Sequence, residues 1–548
     1  MGLRKRLALA SASDPQPGET RTNKDLRPVP IGSVERTWTW PSLLGFWIAE
    51  AFSIKVCFLL SEMCFLLPVS DLPQVSSSSV SKGLNPGLAI LAVFIGHALV
   101  CIPAMLNAYI GAIKGINFPV YCRASFGIQG SKFAVLIRGS VAVIWFGTRS
   151  FQGGQCLQIM ISAIWPSFNH FRNRLPASAH VTSAELLCFF LFLLIQLPLL
   201  YLKVSTLRWM FMAKTLIMPI FGLTLFIWAL VAANGFGPTF SKPTVIADGT
   251  PVAVVFFQCV TSAIGPKATL ALNMPDFTRY AKYPKQVFWT QAVGLMVLVT
   301  MCGVLGATVT SAAEVIYDVS ATDAWNPLTV AKLWNNRAAQ FFAGLCWAFA
   351  VIGTNISANS VSFSNDLTLW FPQYINNRRG AYLCALLSIA TVPWYIQYSA
   401  ASFSAFLGGY SLFLGGLAGV LITDVFICRK RRLSLSDLYS ASKTGPHWFT
   451  GGFNWRAFVA FTAGVVPDLP GLAKACEGSL SVPSGAVELY SLSWCVSIVV
   501  SGLVYWGLHK VSPVVVTGDA GHVIEGVDVE SDAGMMVKEG DGGKAFDS

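Results

Sequence analysis

Residues 264–285 of the chain read IGPKATLALNMPDFTRYAKYPK and begin inside an apolar run that starts near Val252. Gly265 and Pro266 fall where a membrane helix would be continuous. Proline lacks a backbone N–H and clashes with the preceding turn, so a helix break is expected here. Lys267 then carries a charge to membrane depth. A broken helix with an ionisable side chain suits a solute site, because freed backbone groups meet a ligand and the charge faces a wet cavity instead of lipid. The stretch closes with Asp276, Arg279, Lys282 and Lys285, which read as a membrane-surface loop.

Two more groups stand out. Trp145 and Arg149 are four residues apart and share a helix face. An indole and a planar donor on one face can stack on and hydrogen-bond a flat heterocycle; equally, Trp145 packs the bundle and Arg149 pairs with a carboxylate. The run Thr354-Asn355-Ile356-Ser357-Ala358-Asn359 is unusually polar. Asn355 and Asn359 share a face, so one can bind an amide or lactam edge while the other ties helices together. The charges at depth are Glu50, Lys55, His97, Arg138, Arg149, Lys214 and Lys267. Glu50 and Lys267 meet if their spans face each other, either as a proton-coupling and gating element with Asn355, Gly265 and Pro266 or as a static ion pair. His97 and Lys214 read as interface residues. No HExxH, GxSxG, P-loop or paired Cys/His cluster occurs, so neither a metal nor a cofactor is expected, and nothing supports an enzyme.

The elements that must position these groups are apolar. Of 548 residues, 54% are hydrophobic and 12% charged, against about 25% charged in soluble domains. The chain is therefore an all-α polytopic membrane protein of about twelve spans, from 43–66 through 134–164, 252–274 and 339–363 to 489–508. The net charge of +11 lies in short loops and does not indicate nucleic acid. The thirteen Cys show no CxxC pair and read as packing residues. Cationic residues concentrate in alternate loops, ending with Arg429-Lys430-Arg431-Arg432, which puts both termini in the cytoplasm. The expected organisation is a mobile N-terminal tail (1–36), a transmembrane domain (37–510) and an acidic, Gly-rich C-terminal tail (511–548). The tails are candidate contacts for trafficking or ubiquitin machinery. Helix-weak residues with buried charge in spans 1 and 6 point to two inverted five-span halves plus two extra helices.

Several stretches resemble a known family. NMPDFTRYAKYPK, Trp145-Phe146-Gly147, GTNISANSVSFSNDLT and FPQYINNRRG are similar to the nucleobase–cation symporter family one, in its fungal uracil/allantoin permease branch. Asn23-Lys24-Asp25-Leu26-Arg27-Pro28, Arg36-Thr37-Trp38, GGFNWRAF and VVPDLPGLAKA extend the match over most of the chain. The resemblance implies a leucine-transporter-like fold importing a purine, pyrimidine or allantoin-type solute with H+ or, less in keeping with fungal members, Na+. It places the substrate at Trp145, Arg149, Lys267 and Asn359. It puts a cation-site equivalent, read as a structural relic, near Ala350, Gly353 and Thr354. A plasma-membrane location follows.

The chain departs from that pattern twice. The branch usually has Gln where Arg149 stands; Arg only donates and is permanently charged, which shifts selectivity toward an anionic solute such as urate or spoils uracil binding. Residues 55–74 (KVCFLLSEMCFLLPVSDLPQ) stand as an insertion, read as a retained intron; a mature transcript containing them would sink that reading. The expectation is a proton-coupled importer of a uracil-, allantoin- or purine-like compound by alternating access. The alternatives are a thiamine or nucleoside transporter and a non-transporting nutrient receptor.

Overall fold

The computed structural model describes residues 9, 22–52, 84–202, 207–241, 243–244, 246, 250–319, 327–397, 400–440, 442–477 and 479–514. Residues 55–74 lie outside them. The major helices are α1 (Trp40–Ala51), α2 (Pro86–Lys114), α3 (Ser131–Ile164), α4 (Ser183–Leu199), α5 (Leu207–Ala232) and α6 (Val252–Asn273). They continue as α7 (Gln286–Tyr317), α8 (Arg337–Trp370), α9 (Asn377–Ile389), α10 (Ala400–Ile422), α11 (Trp455–Val465) and α12 (Ser493–Val511). Among the described residues, nine helices are long and apolar enough to cross a membrane. The other three, α1, α9 and α11, have 12, 13 and 11 residues.

Local chemistry starts these helices. The Asn85 side chain accepts from Leu88 N at 2.9 Å with Pro86 in the first turn of α2. Thr182 and Glu185 form a reciprocal capping box on α4, and Asn336 and Asn376 cap α8 and α9. Each cap satisfies backbone donors that a helix start otherwise leaves open.

Packing then departs from propensity. α6 runs unbroken through Gly265 and Pro266, contrary to the expected break. Proline is tolerated within a membrane helix when neighbouring helices hold the segment, and here every residue from Cys259 to Ala268 is buried. The glycine serves close approach: a Cβ on Gly265 would lie 2.6 Å from the Leu407 carbonyl oxygen on α10. Likewise, a Cβ on Gly96 of α2 would lie 2.8 Å from Val260 O on α6. Small residues let membrane helices pack backbone to backbone, and α6 is thereby wedged between α2 and α10. α3 packs against α4 and α8, and α10 against α12.

Two stretches read as surface or tail are docked. Asp276 and Arg279 are buried: Asp276 Oδ1 accepts from Phe118 N at 3.0 Å, and Arg279 Nη1 donates to Asp25 O at 2.8 Å. Residues 22–36, expected within a mobile tail, form a strap over helix ends. Asn23 Nδ2 donates to Pro372 O (3.1 Å) and Ile375 O (2.9 Å). Arg36 Nη1 donates to Ala112 O at 2.5 Å and Ala281 O at 3.2 Å. Buried backbone carbonyls need such donors. Nearby, Arg138 on α3 pairs with Asp366 on α8.

Candidate functional site

α1, α3, α6 and α8 converge on a small pocket. Its wall includes Glu50 from α1, Trp145 and Arg149 from α3, Pro266, Thr269 and Leu270 from α6, and Thr354, Ala358 and Asn359 from α8. On α6 the spacing i, i+3, i+4 turns the residues of one face to the pocket.

Trp145 is held as a wall. Its Nε1 donates to Tyr410 Oη at 3.1 Å, and its ring centroid lies 5.4 Å from that of Phe406. Arg149 extends along the same face, its guanidinium carbon 5.8 Å from the Trp145 ring centroid. It is 1% exposed, and Nη1 and Nη2 have no hydrogen-bond partner among the described residues. Of the two readings of this pair, the packing role holds for Trp145 in addition to its place on the pocket. The reading of Arg149 as a carboxylate partner has no ion pair among the described residues to support it.

The two asparagines divide the work. Asn355 Nδ2 lies within hydrogen-bond distance of Phe146 O (3.2 Å), Ser150 Oγ (3.1 Å) and Gln196 Oε1 (2.9 Å), tying α8 to α3 and α4. Asn359 Nδ2 donates to Asn355 Oδ1 at 2.9 Å, and Asn359 lines the pocket. The segment Asn355–Val361 is wound as a π-helix, a local widening often met at functional sites. Its hydroxyls bond back along the helix, with Ser357 donating to Gly353 O at 2.9 Å and Ser360 to Ile356 O at 2.7 Å, a pattern that bends helices.

Glu50 and Lys267 do meet. Lys267 Nζ lies 3.7 Å from Glu50 Oε2 and 3.4 Å from the Glu50 carbonyl oxygen, with the Trp47 ring 5.8 Å away. Lys267 is not among the residues lining the pocket; it stands behind Glu50, which does. Gly265 contacts α10, and only Pro266 of the pair reaches the pocket.

Lys214 was read from the sequence as an interface residue. In the structure its Nζ donates to Thr354 Oγ1 at 2.5 Å, and its Cδ lies 3.2 Å from where a Cβ on Gly353 would stand. The Lys214 amine thus occupies the surroundings of the expected cation-site equivalent, where Ala350 is buried alongside. Lys214 and Thr354 are 140 residues apart in the chain, so no local motif announces the pair.

Residues 30–497 match the family model of permeases for cytosine/purines, uracil, thiamine and allantoin. The chain belongs to this permease family. It is 30% identical over 505 residues to the allantoin permease of Saccharomyces cerevisiae, covering 90% of this chain and 76% of that protein. It is 32% identical over 511 residues to the uridine permease of the same yeast, covering 91% and 76%. Its structure resembles Mhp1, a nucleobase-cation-symport-1 family transporter solved in a closed conformation with bromovinylhydantoin bound. There the TM-score is 0.67 at 19% identity, over 90% of this chain and 97% of that one. This permease therefore has the all-helical, leucine-transporter-like fold expected from its sequence and is a multi-pass membrane transporter.

Proposed function

We propose that the permease imports a nucleobase-related heterocycle such as uracil, allantoin or a purine, coupled to protons, by alternating access. The observation that carries this reading is the pocket where Trp145, Arg149 and Asn359 converge. An indole face stacks on a flat ring, while a guanidinium and an amide address its polar edge. Likeness to an allantoin permease and to a hydantoin-binding transporter fold supports a ring of that size. Glu50 supports binding from α1 and, with Lys267 behind it, forms the element by which a proton changes the pairing at the site.

Protons are favoured over sodium because the Lys214 amine already holds Thr354 Oγ1. A metal cation at the same oxygen would have to displace that donor. In this reading the protein lies in the plasma membrane with both termini in the cytoplasm. Likeness to the uridine permease supports a nucleoside as the second reading.

The test is uptake of labelled uracil in a permease-deficient yeast host, at acid and neutral pH and with and without sodium, surface delivery being checked. Unlabelled allantoin, urate and uridine serve as competitors. Uptake that rises at acid pH, ignores sodium and yields to a base-sized competitor is expected. Sodium-dependent uptake would refute the coupling assignment, and competition by uridine alone would favour the second reading.

A further inference from the structure

The pocket wall carries a cationic side chain, Arg149, whose terminal nitrogens go unused among the described residues. Arg149 is buried, and both of its terminal nitrogens lack partners among the described residues. Among the described residues, the charged and titratable groups around it come from four other helices. Glu50 on α1 lines the pocket and is engaged by Lys267 on α6. Lys214 on α5 bonds to Thr354. Tyr410 on α10 accepts from Trp145. Among the described residues, Arg149, Lys214 and Lys267 thus gather about one carboxylate, and that carboxylate lies against Lys267. In a low-dielectric site a cation without a direct ion-pair partner is costly, and Arg149 is the one on the pocket wall beside the stacking ring.

A guanidinium donates through a fixed fork and cannot accept, so the ligand edge it meets has to present two adjacent acceptors. A neutral lactam edge presents one acceptor and one N–H, and that N–H would face a donor. An ionised lactam, or a carboxylate on the ring, presents two acceptors and the missing negative charge. Asn359 complements this edge: its Nδ2 is committed to Asn355, which leaves Oδ1 to accept a ring N–H elsewhere on the same ligand.

Building on the transport reading above, we infer that the permease selects its heterocycle as an anion, with the Arg149 fork on two neighbouring acceptors of the ligand and Trp145 against its face. The ligand class is an N-heterocycle ionised near neutral pH, through an acidic ring lactam or a ring carboxylate. Arg149 is then the specificity-determining residue.

The test uses the purified full-length protein and four probes: urate (ionised lactam), orotate (ring carboxylate), and the neutral uracil and allantoin. Binding is followed by ligand-induced thermal stabilisation for the wild type, Arg149→Gln and Arg149→Lys. At neutral pH at least one anion is expected to bind tighter than uracil, by about tenfold or more. Arg149→Gln is expected to weaken that anion about 10- to 100-fold, the range for losing charge-assisted hydrogen bonds, and to weaken uracil by less, so that the anion-to-neutral ratio falls. Arg149→Lys keeps the charge but not the fork and falls between. Preference for urate assigns the lactam, and preference for orotate the carboxylate. Uracil or allantoin binding as well as both anions in the wild type, or an unchanged anion-to-neutral ratio in a folded Arg149→Gln protein, overturns the inference and leaves transport standing. Binding of none of the four overturns the transport reading with it. Where Arg149→Gln does not fold, the wild-type pH profile decides for urate. Its binding should fall relative to uracil as pH drops below the ligand's own ionisation; parallel profiles refute anion selection, uracil reporting any titration of Glu50, Lys214, Lys267 or Tyr410.

Discussion

Replacing Glu50 by Gln removes the carboxylate from beside Lys267 while keeping its shape. At 3.7 Å between Nζ and Oε2, the attraction is roughly 4–5 kcal/mol at an effective dielectric of about 20. Both side chains are buried, so breaking the pair strands a charge that water does not reach, at a cost of about 3–5 kcal/mol. Lys267→Met should cost a similar amount by stranding Glu50. The Lys267 ammonium also reaches the Glu50 carbonyl oxygen at 3.4 Å and faces the Trp47 ring. Those contacts survive in Glu50→Gln and place it at the lower end of the range. The double variant removes both charges together and should cost less than the sum of the singles, with a coupling of about 2–4 kcal/mol. Denaturant unfolding of purified protein in mixed micelles measures all four corners of the cycle. Single-variant costs that add to within about 0.5 kcal/mol would refute the claim that this pair holds α1 to α6.

Trp145→Ala should weaken substrate binding by about tenfold or more through lost stacking, and Trp145→Phe should keep most of it; a saturation curve of uptake distinguishes them. Asn355→Ala removes a donor from among Phe146 O, Ser150 Oγ and Gln196 Oε1, at about 1–3 kcal/mol. It should lower the melting temperature and the surface level while the apparent affinity of whatever protein reaches the surface stays nearly constant. Gly265→Ala places a methyl 2.6 Å from Leu407 O, against backbone that has little room to shift; a loss of about 1–3 kcal/mol should appear as a lowered melting temperature, and an unchanged one would refute the close packing of α6 on α10.

The apolar runs were legible as membrane helices because a lipid-embedded backbone has to satisfy its own hydrogen bonds, and length and hydropathy report that directly. Trp145 with Arg149, and Asn355 with Asn359, were legible as shared faces because helical spacing places residues four apart together. Burial at depth likewise marked Glu50 and Lys267 before their contact was seen. The sequence could not show that Gly265 and Pro266 leave α6 unbroken, since that depends on α2 and α10 pressing on it from distant parts of the chain. Nor could it tell which asparagine packs and which faces the pocket: both have the same chemistry, and only the positions of Phe146, Ser150 and Gln196 separate them. Lys214 reads in the sequence as any interfacial lysine, and only the meeting of α5 with α8 brings its Nζ to Thr354. Residues 22–36 looked like a polar tail because their partners are backbone carbonyls of remote helices, and a carbonyl leaves no mark in a sequence. Composition and periodicity thus set the solvent, the helices and their faces. The tertiary structure decided which faces meet, because contacts between residues far apart in the chain depend on how the whole bundle packs.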